Sequence, residues 1–129
     1  MKIRIMEVLT LENTLCVTFV SPAGRGSAEW FGINPTVGEE LDVEFNLDEV
    51  FLLGKNLMSS CRESPFIDIV NGVKHITAEI TKNTGEEWIE LKLKDSLFVI
   101  ELDEPLTQKT GFIEIIASRI QMHPTNIKL

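Results

Sequence analysis

Residues 40–48 read Glu-Leu-Asp-Val-Glu-Phe-Asn-Leu-Asp, with an apolar side chain at every second position. Side chains alternate between the two faces of a β-strand, so this period of two predicts a strand with one buried and one solvated face. The same alternation recurs in residues 76–81 and 89–94. No segment of ten residues has a convincing helical period. The sequence therefore predicts a mainly β protein.

Turn residues separate further short strands along the chain. Lys82-Asn83-Thr84-Gly85 predicts a hairpin loop, because Asn and Gly tolerate positive φ. The Gly- and Ser-containing stretch 21–27 is expected to be a plain loop, and residues 49–72 are the least regular part of the chain. The predicted strands are 2–9, 14–20, 28–33, 40–48, 65–70, 75–81, 87–94 and 97–102.

The last strand region, residues 112–122, is apolar on both sides for half its length. This pattern predicts either a strand buried on both faces or one that bends so that its faces exchange roles. About eight short strands in 129 residues favour a small β-barrel, partly open and of the OB type with added strands, in one domain spanning residues 1–129. A two-sheet β-sandwich is the alternative architecture.

The charge balance limits the classes of partner. Twelve basic against 20 acidic residues give a net charge of −8, which argues against nucleic acid as the main ligand, since phosphate contacts need an excess of Lys and Arg. No stretch is apolar enough for a signal peptide or a membrane span. We expect a cytoplasmic protein with reduced thiols at Cys16 and Cys61, and no interaction with a membrane.

The acids are concentrated in one region. Residues 31–60 hold six acids and one base, so they carry five of the eight net negative charges. On a strand, Glu40, Asp42, Glu44 and Asp48 would share one face, about 7 Å between alternate positions. That face is either simply solvated or a binding surface for a cationic partner. A second acidic run, residues 101–104, would enlarge the same surface if it folded nearby.

Tryptophans are the candidate apolar anchors of such a surface. Trp88 is out of phase with Ile89 and Leu91, so we expect it to face outward. Trp30 and Phe31 point to opposite faces of their strand, and one of them is expected to be exposed. Exposed Trp side chains often anchor interfaces, although Trp88 covered by the irregular segment 49–72 is an equal alternative.

Catalytic and metal chemistry have little support in the sequence. His75 and His123 are the only histidines, and neither lies in a motif with metal-ligand spacing. Cys61 has no histidine nearby in sequence to activate it. We therefore expect no catalytic residue, no metal and no cofactor. A small-ligand, metal or enzymatic site in the barrel mouth, using His75 or His123, remains the alternative.

Residues 37–49 (Val-Gly-Glu-Glu-Leu-Asp-Val-Glu-Phe-Asn-Leu-Asp-Glu), followed by Gly54-Lys55-Asn56, are similar to small OB-like bacterial immunity proteins of toxin–immunity systems of the contact-dependent inhibition type. The closing run from Phe112 to Ile120 resembles their last strand. The resemblance implies cytoplasmic, non-catalytic inhibition of a toxin domain, often a cationic nuclease. It carries over no individual functional residue.

These observations lead to one functional hypothesis. The protein is expected to bind and neutralise a basic protein partner as a monomer or homodimer. Its expected binding residues are Glu40, Asp42, Glu44, Asp48, Trp88 and Trp30. A module that assembles with a partner other than a toxin is a further alternative.

Overall fold

Every regular element of the computed structural model is a β-strand within residues 1–125, which the structure describes. No helix in this part of the chain is long and apolar enough to cross a membrane. The twelve strands are β1 (Lys2–Leu11), β2 (Thr14–Ser21), β3 (Gly24–Trp30), β4 (Glu40–Asn46), β5 (Val50–Phe51), β6 (Leu57–Ser59), β7 (Phe66–Val70), β8 (Val73–Lys82), β9 (Trp88–Leu93), β10 (Ser96–Leu102), β11 (Phe112–Ala117) and β12 (Gln121–Pro124).

Five strands close into a barrel in the order β1–β2–β3–β12–β4, with β4 returning to β1. The β3–β12 pair is parallel and the other four pairs are antiparallel. Five is also the strand number of the OB barrel. The predicted small β-barrel with added strands is therefore confirmed.

The added strands form an extension that is inserted between β4 and β12. Its centre is β8, which pairs with β7, β9 and β11, while β10 and β5 continue the sheet beyond β9. One hydrophobic cluster runs through both parts, from Ile3 and Val43 in the barrel to Leu91 and Ile113 in the extension. Burial of this shared core is the main force that holds the extension against the barrel.

The barrel joins the extension at Gly24. The Ile67 N–H donates to the Ala23 carbonyl at 2.9 Å, and Gly24 pairs with Ile67 in a parallel β3–β7 bridge. Gly24 has φ of +133°, and a Cβ there would lie 2.1 Å from the Ile67 carbonyl oxygen. Only glycine allows the two backbones to approach this closely.

The expected loop at residues 21–27 is wrong. The turn contains only Pro22 and Ala23, and β3 begins at Gly24. Gly26 lies within the strand and is needed for close packing, because a Cβ at this position would lie 2.7 Å from the Phe19 ring. The predicted strand 28–33 accordingly lies too late, since β3 ends at Trp30.

The doubly apolar region near the carboxyl end is two strands. Ala117 is the last buried residue of β11, and the next buried residue is Ile120, three positions later. Ser118 and Arg119 are exposed between them, so the buried positions change from odd-numbered to even-numbered residues. The bend that exchanges the faces was one of the two predicted outcomes and is confirmed.

Candidate functional site

The two acids at the start of β4 are paired within the protein. Glu40 accepts hydrogen bonds from Arg4 Nη2 at 2.7 Å and lies 3.1 Å from Lys2 Nζ. These bonds from Arg4 and then Lys2 lower the pKa of the Glu40 carboxyl. Its charge is therefore largely balanced before any partner arrives.

Asp42 is also balanced internally. Its carboxylate accepts a hydrogen bond from the Thr125 hydroxyl at 2.8 Å and lies 3.2 Å from the ammonium group of Met1. The Thr125 bond, followed by the Met1 ammonium, lowers the pKa of Asp42. Glu40 and Asp42 therefore each have a cationic group of the protein beside them, unlike an isolated surface carboxylate.

The other two acids of the expected row are exposed but do not extend it. Glu44 lies opposite His123 in the β4–β12 pair and is exposed. Asp48 is exposed too, but β4 ends at Asn46, so Asp48 lies outside the strand. The expectation of four acids on one strand face is wrong because the chain leaves the barrel after Asn46 to enter the extension.

The second acidic run folds next to the first. Glu101 pairs with Val50, and Leu102 with Phe51, in the parallel β10–β5 pair. The Asp103 N–H donates to the Phe51 carbonyl at 2.9 Å. These contacts place the end of β10 beside the segment that follows β4.

A groove of about 580 Å³ lies at this junction. Four acidic residues line it, Asp48, Glu49, Glu87 and Glu101, and none of the residues lining it is a lysine or arginine. The Glu49 carboxylate also accepts a hydrogen bond from the Ser118 N–H at 2.7 Å. Its other lining residues are Asn46, Leu47, Val50, Trp88 and Val99. We call this the acidic groove. It combines negative charge with a partly apolar surface.

Trp88 lies in the acidic groove and is half-buried. Its indole Nε1 donates to Glu86 Oε2 at 2.6 Å, and Lys82 Nζ lies 5.6 Å from the ring centroid. Trp88 lies on the face of β9 opposite to the fully buried Ile89 and Leu91, as the alternation predicts. Its ring is half-buried rather than fully exposed, and Val50 of the segment 49–72 lines the same groove.

Trp30 is a core residue. Only 5% of it is exposed, and its Nε1 donates to the Ile33 carbonyl at 2.9 Å. Phe31 is the exposed member of the pair, at 43%, and stacks on His123 with 5.2 Å between ring centroids. We therefore remove Trp30 from the candidate surface residues, because almost none of its side chain is accessible to a partner.

The histidines lie in two separate places. His75 belongs to the extension, where its Nδ1 is 3.1 Å from Glu114 Oε1, whereas His123 belongs to the barrel strand β12. Within residues 1–125, no group of three or more His, Cys, Asp or Glu side chains is arranged to hold a metal ion. Cys16 and Cys61 are free thiols.

The arrangement of the acidic groove suits a cationic side chain with an aliphatic stem. Carboxylates attract the charged head, and an indole face stabilises both the stem and the charge. Of the lining residues, Asp48 and Trp88 were predicted from the sequence, whereas Glu49 and Glu87 were not. The acidic run at residues 101–104 was the one sequence feature that pointed to this groove. Its position beside the first acidic region follows from the pairing of β5 with β10, which the sequence did not predict.

Comparisons of this chain with protein-family models, with curated protein sequences and with solved structures return no match.

Proposed function

We propose that this protein is a non-catalytic binding module that neutralises a basic protein partner through the acidic groove. The observation that carries the proposal is that Trp88 and four acidic residues line one groove whose lining contains no Lys or Arg. Lys82, with its Nζ 5.6 Å from the Trp88 ring centroid, lies on the indole but is not part of that lining. Unbalanced charge of one sign in a concave surface steers an oppositely charged partner toward it.

The groove also offers contacts of short range. Val50 and Val99 are about half exposed, at 46% and 51%, and lie beside Trp88. A Lys or Arg side chain inserted here would pack its stem on these apolar groups and place its head near Glu87 and Glu101. Burying an apolar anchor inside a charged rim is typical of interface hot spots.

The residues of the partner surface differ in part from those predicted from the sequence. Asp48 and Trp88 stay in the partner surface, joined by Glu49, Glu87 and Glu101. Glu44 contributes to the surrounding field because it is exposed. Glu40 and Asp42 have partners of their own, so we assign them to the stability of the barrel.

The class of partner that fits best is a cationic toxin domain, as the resemblance to immunity proteins implies. In that role the protein would act in the cytoplasm and block the substrate-binding or active site of a toxin, such as a nuclease. A toxin surface that binds nucleic acid is rich in Lys and Arg, and an acidic groove competes for those same side chains.

The test is co-purification of the tagged protein from its own host's lysate at about 0.1 M and about 0.5 M salt, because added salt screens exposed charges. We expect a basic protein that is retained at low salt and weakened at high salt. That protein should arrest growth when produced alone, and co-production of the present chain should restore growth. A captured partner that is acidic, or whose binding ignores salt, would contradict the proposal.

A further inference from the structure

The second half of β1 has an edge that no other strand occupies. β4 pairs with β1 only at Lys2–Arg4, and the chain before β4 adds hydrogen bonds at Ile5. From Glu7 to Leu11, nothing in residues 1–125 pairs with this edge, although β2 pairs with the opposite edge throughout. An unpaired edge is a template for another strand.

The turn between β1 and β2 determines which backbone groups point outward. Glu12 and Asn13 have φ of 49° and 67°, as in a two-residue hairpin turn whose bond joins the Leu11 carbonyl to the Thr14 N–H. Bonded pairs alternate along an antiparallel ladder, so Leu9 and Leu11 direct their backbone groups to β2. The N–H and C=O groups of Val8 and Thr10 consequently point away from it.

The side chains along this edge are unusually apolar for an exposed strand. Met6, Leu9 and Leu11 are 47%, 44% and 57% exposed, respectively. Glu7 is the only charged residue between Met6 and Leu11, and this segment contains no Lys or Pro. Exposed edges are normally protected by such residues. A bulge between Ile5 and Glu7 is present, but it lies before the free part of the edge.

We propose that this edge binds the same edge of a second copy, so that two β1 strands pair antiparallel in a two-fold symmetric dimer. The register that fits places Val8 opposite the second copy's Thr10 and Leu9 opposite its own equivalent. This register satisfies the N–H and C=O groups of both Val8 and Thr10 in each copy, which gives four hydrogen bonds across the interface. Shifted symmetric registers would instead place the Met6 bulge or the Glu12 turn in the pair.

The charged side chain on this edge is compatible with a second copy in this register. Glu7 lies opposite Leu11 of the other copy, so the two Glu7 carboxylates are held apart, while Leu9 packs against Leu9. A cationic partner would find several carboxylates in the acidic groove but a single one on this edge. Because a two-fold contact uses the same edge of both copies, it closes after two chains and produces no filament.

Sedimentation velocity of the purified chain over a range of concentrations tests the proposal. We expect a reversible monomer–dimer equilibrium. Thr10→Pro removes an N–H that points away from β2, so it leaves the hairpin paired and should raise the dimer Kd about thirtyfold, through the loss of two symmetric hydrogen bonds. Leu9→Lys places two ammonium groups opposite each other and should weaken the dimer about tenfold or more.

Ile33→Lys is the matched control, since Ile33 is 89% exposed in a loop and should leave the dimer unchanged. Circular dichroism of each variant verifies the monomer fold.

The dimer should tighten at high salt because each copy carries a charge of −8, whereas binding in the acidic groove should weaken. A monomer at about 100 μM, fibres, or a dimer unaffected by both edge variants would overturn the proposal.

Discussion

Trp88 and Glu101 face each other directly across the β9–β10 pair. The indole and the carboxylate therefore stand side by side on the outward face of the extension, where Val50 continues the row on β5. Neighbours in such a cross-strand row lie within reach of one another, because their Cβ atoms are only about 5 Å apart. Charge and apolar surface are combined here by strand register.

Removing charge from the acidic groove should weaken binding of a cationic probe. We expect Glu87→Gln with Glu101→Gln to raise the Kd for decalysine about tenfold at about 0.1 M salt, measured by isothermal titration calorimetry. Glu12→Gln with Glu63→Gln changes the net charge equally at two exposed positions outside the groove and serves as the control. Equal losses in both variants would show that only the overall charge matters.

Adding a methyl group at Gly24 should break the junction between the barrel and the extension. The close approach to Ile67 and the φ of +133° predict that Gly24→Ala lowers the free energy of unfolding by at least about 3 kcal/mol. Gly38→Ala is the matched control: Gly38 has φ of +88° but no atom within 4 Å of the added Cβ, so the loss should be about 1 kcal/mol. Urea denaturation of both variants measures the difference, and similar losses would contradict the steric argument.

Removing a buried hydroxyl at residue 18 should stabilise the protein. Thr18 Oγ1 is shielded from solvent and has no hydrogen-bond partner among residues 1–125. Thr18→Val should therefore raise the free energy of unfolding by about 1 kcal/mol. Thr81→Val should lower it, since the Thr81 hydroxyl donates to Glu90. A loss of stability in Thr18→Val would show that its hydroxyl has a partner in solution.

The Glu29–Arg119 pair should make stability depend on pH. Arg119 donates two hydrogen bonds of 2.8 Å to Glu29, and these lower the pKa of Glu29 below its ordinary value of 4.5. The unfolded chain then binds the proton more readily, so the stabilisation is present above pH 4.5 and is lost as pH falls through the lowered pKa.

Glu29→Gln should lower the urea midpoint at pH 7, and its deficit should disappear as the pH falls through the lowered pKa of Glu29 in the parent protein. Glu12→Gln, at an exposed turn, should have the urea midpoint of the parent protein across the same pH range. If the Glu29→Gln deficit persisted at low pH, packing of the side chain rather than its charge would be responsible.

The alternation of apolar and polar residues predicted most of the strands, as the burial of single residues shows. Val43, Ile89 and Leu91 are fully buried where the period of two placed them, because one face of each strand packs on the shared core. The failures came at Gly24 and Gly26, whose small size serves a backbone approach and the packing of Phe19. A sequence does not distinguish a glycine needed for a turn from one needed for close packing.

The candidate site was less accessible to sequence reasoning. The pairing of the barrel strands determines which acidic side chains have a cationic neighbour. It brings Lys2 and Arg4 to Glu40 from 36 or more positions away in the chain. The acidic groove depends on β5 pairing with β10, about 50 residues apart in the chain. Contacts of this range follow from topology, and no local period encodes them.

Barrel closure has a consequence for the order of events during synthesis. Gln121 pairs with Asn46 across 75 positions, so β12 fills the gap between β3 and β4 only after the whole extension has been made. A nascent chain emerging from the ribosome therefore keeps those two strand edges open until β12 has been made. Closure of the barrel should be slow because it waits for this long-range pairing, and the incomplete barrel is the stage at which a chaperone would matter most.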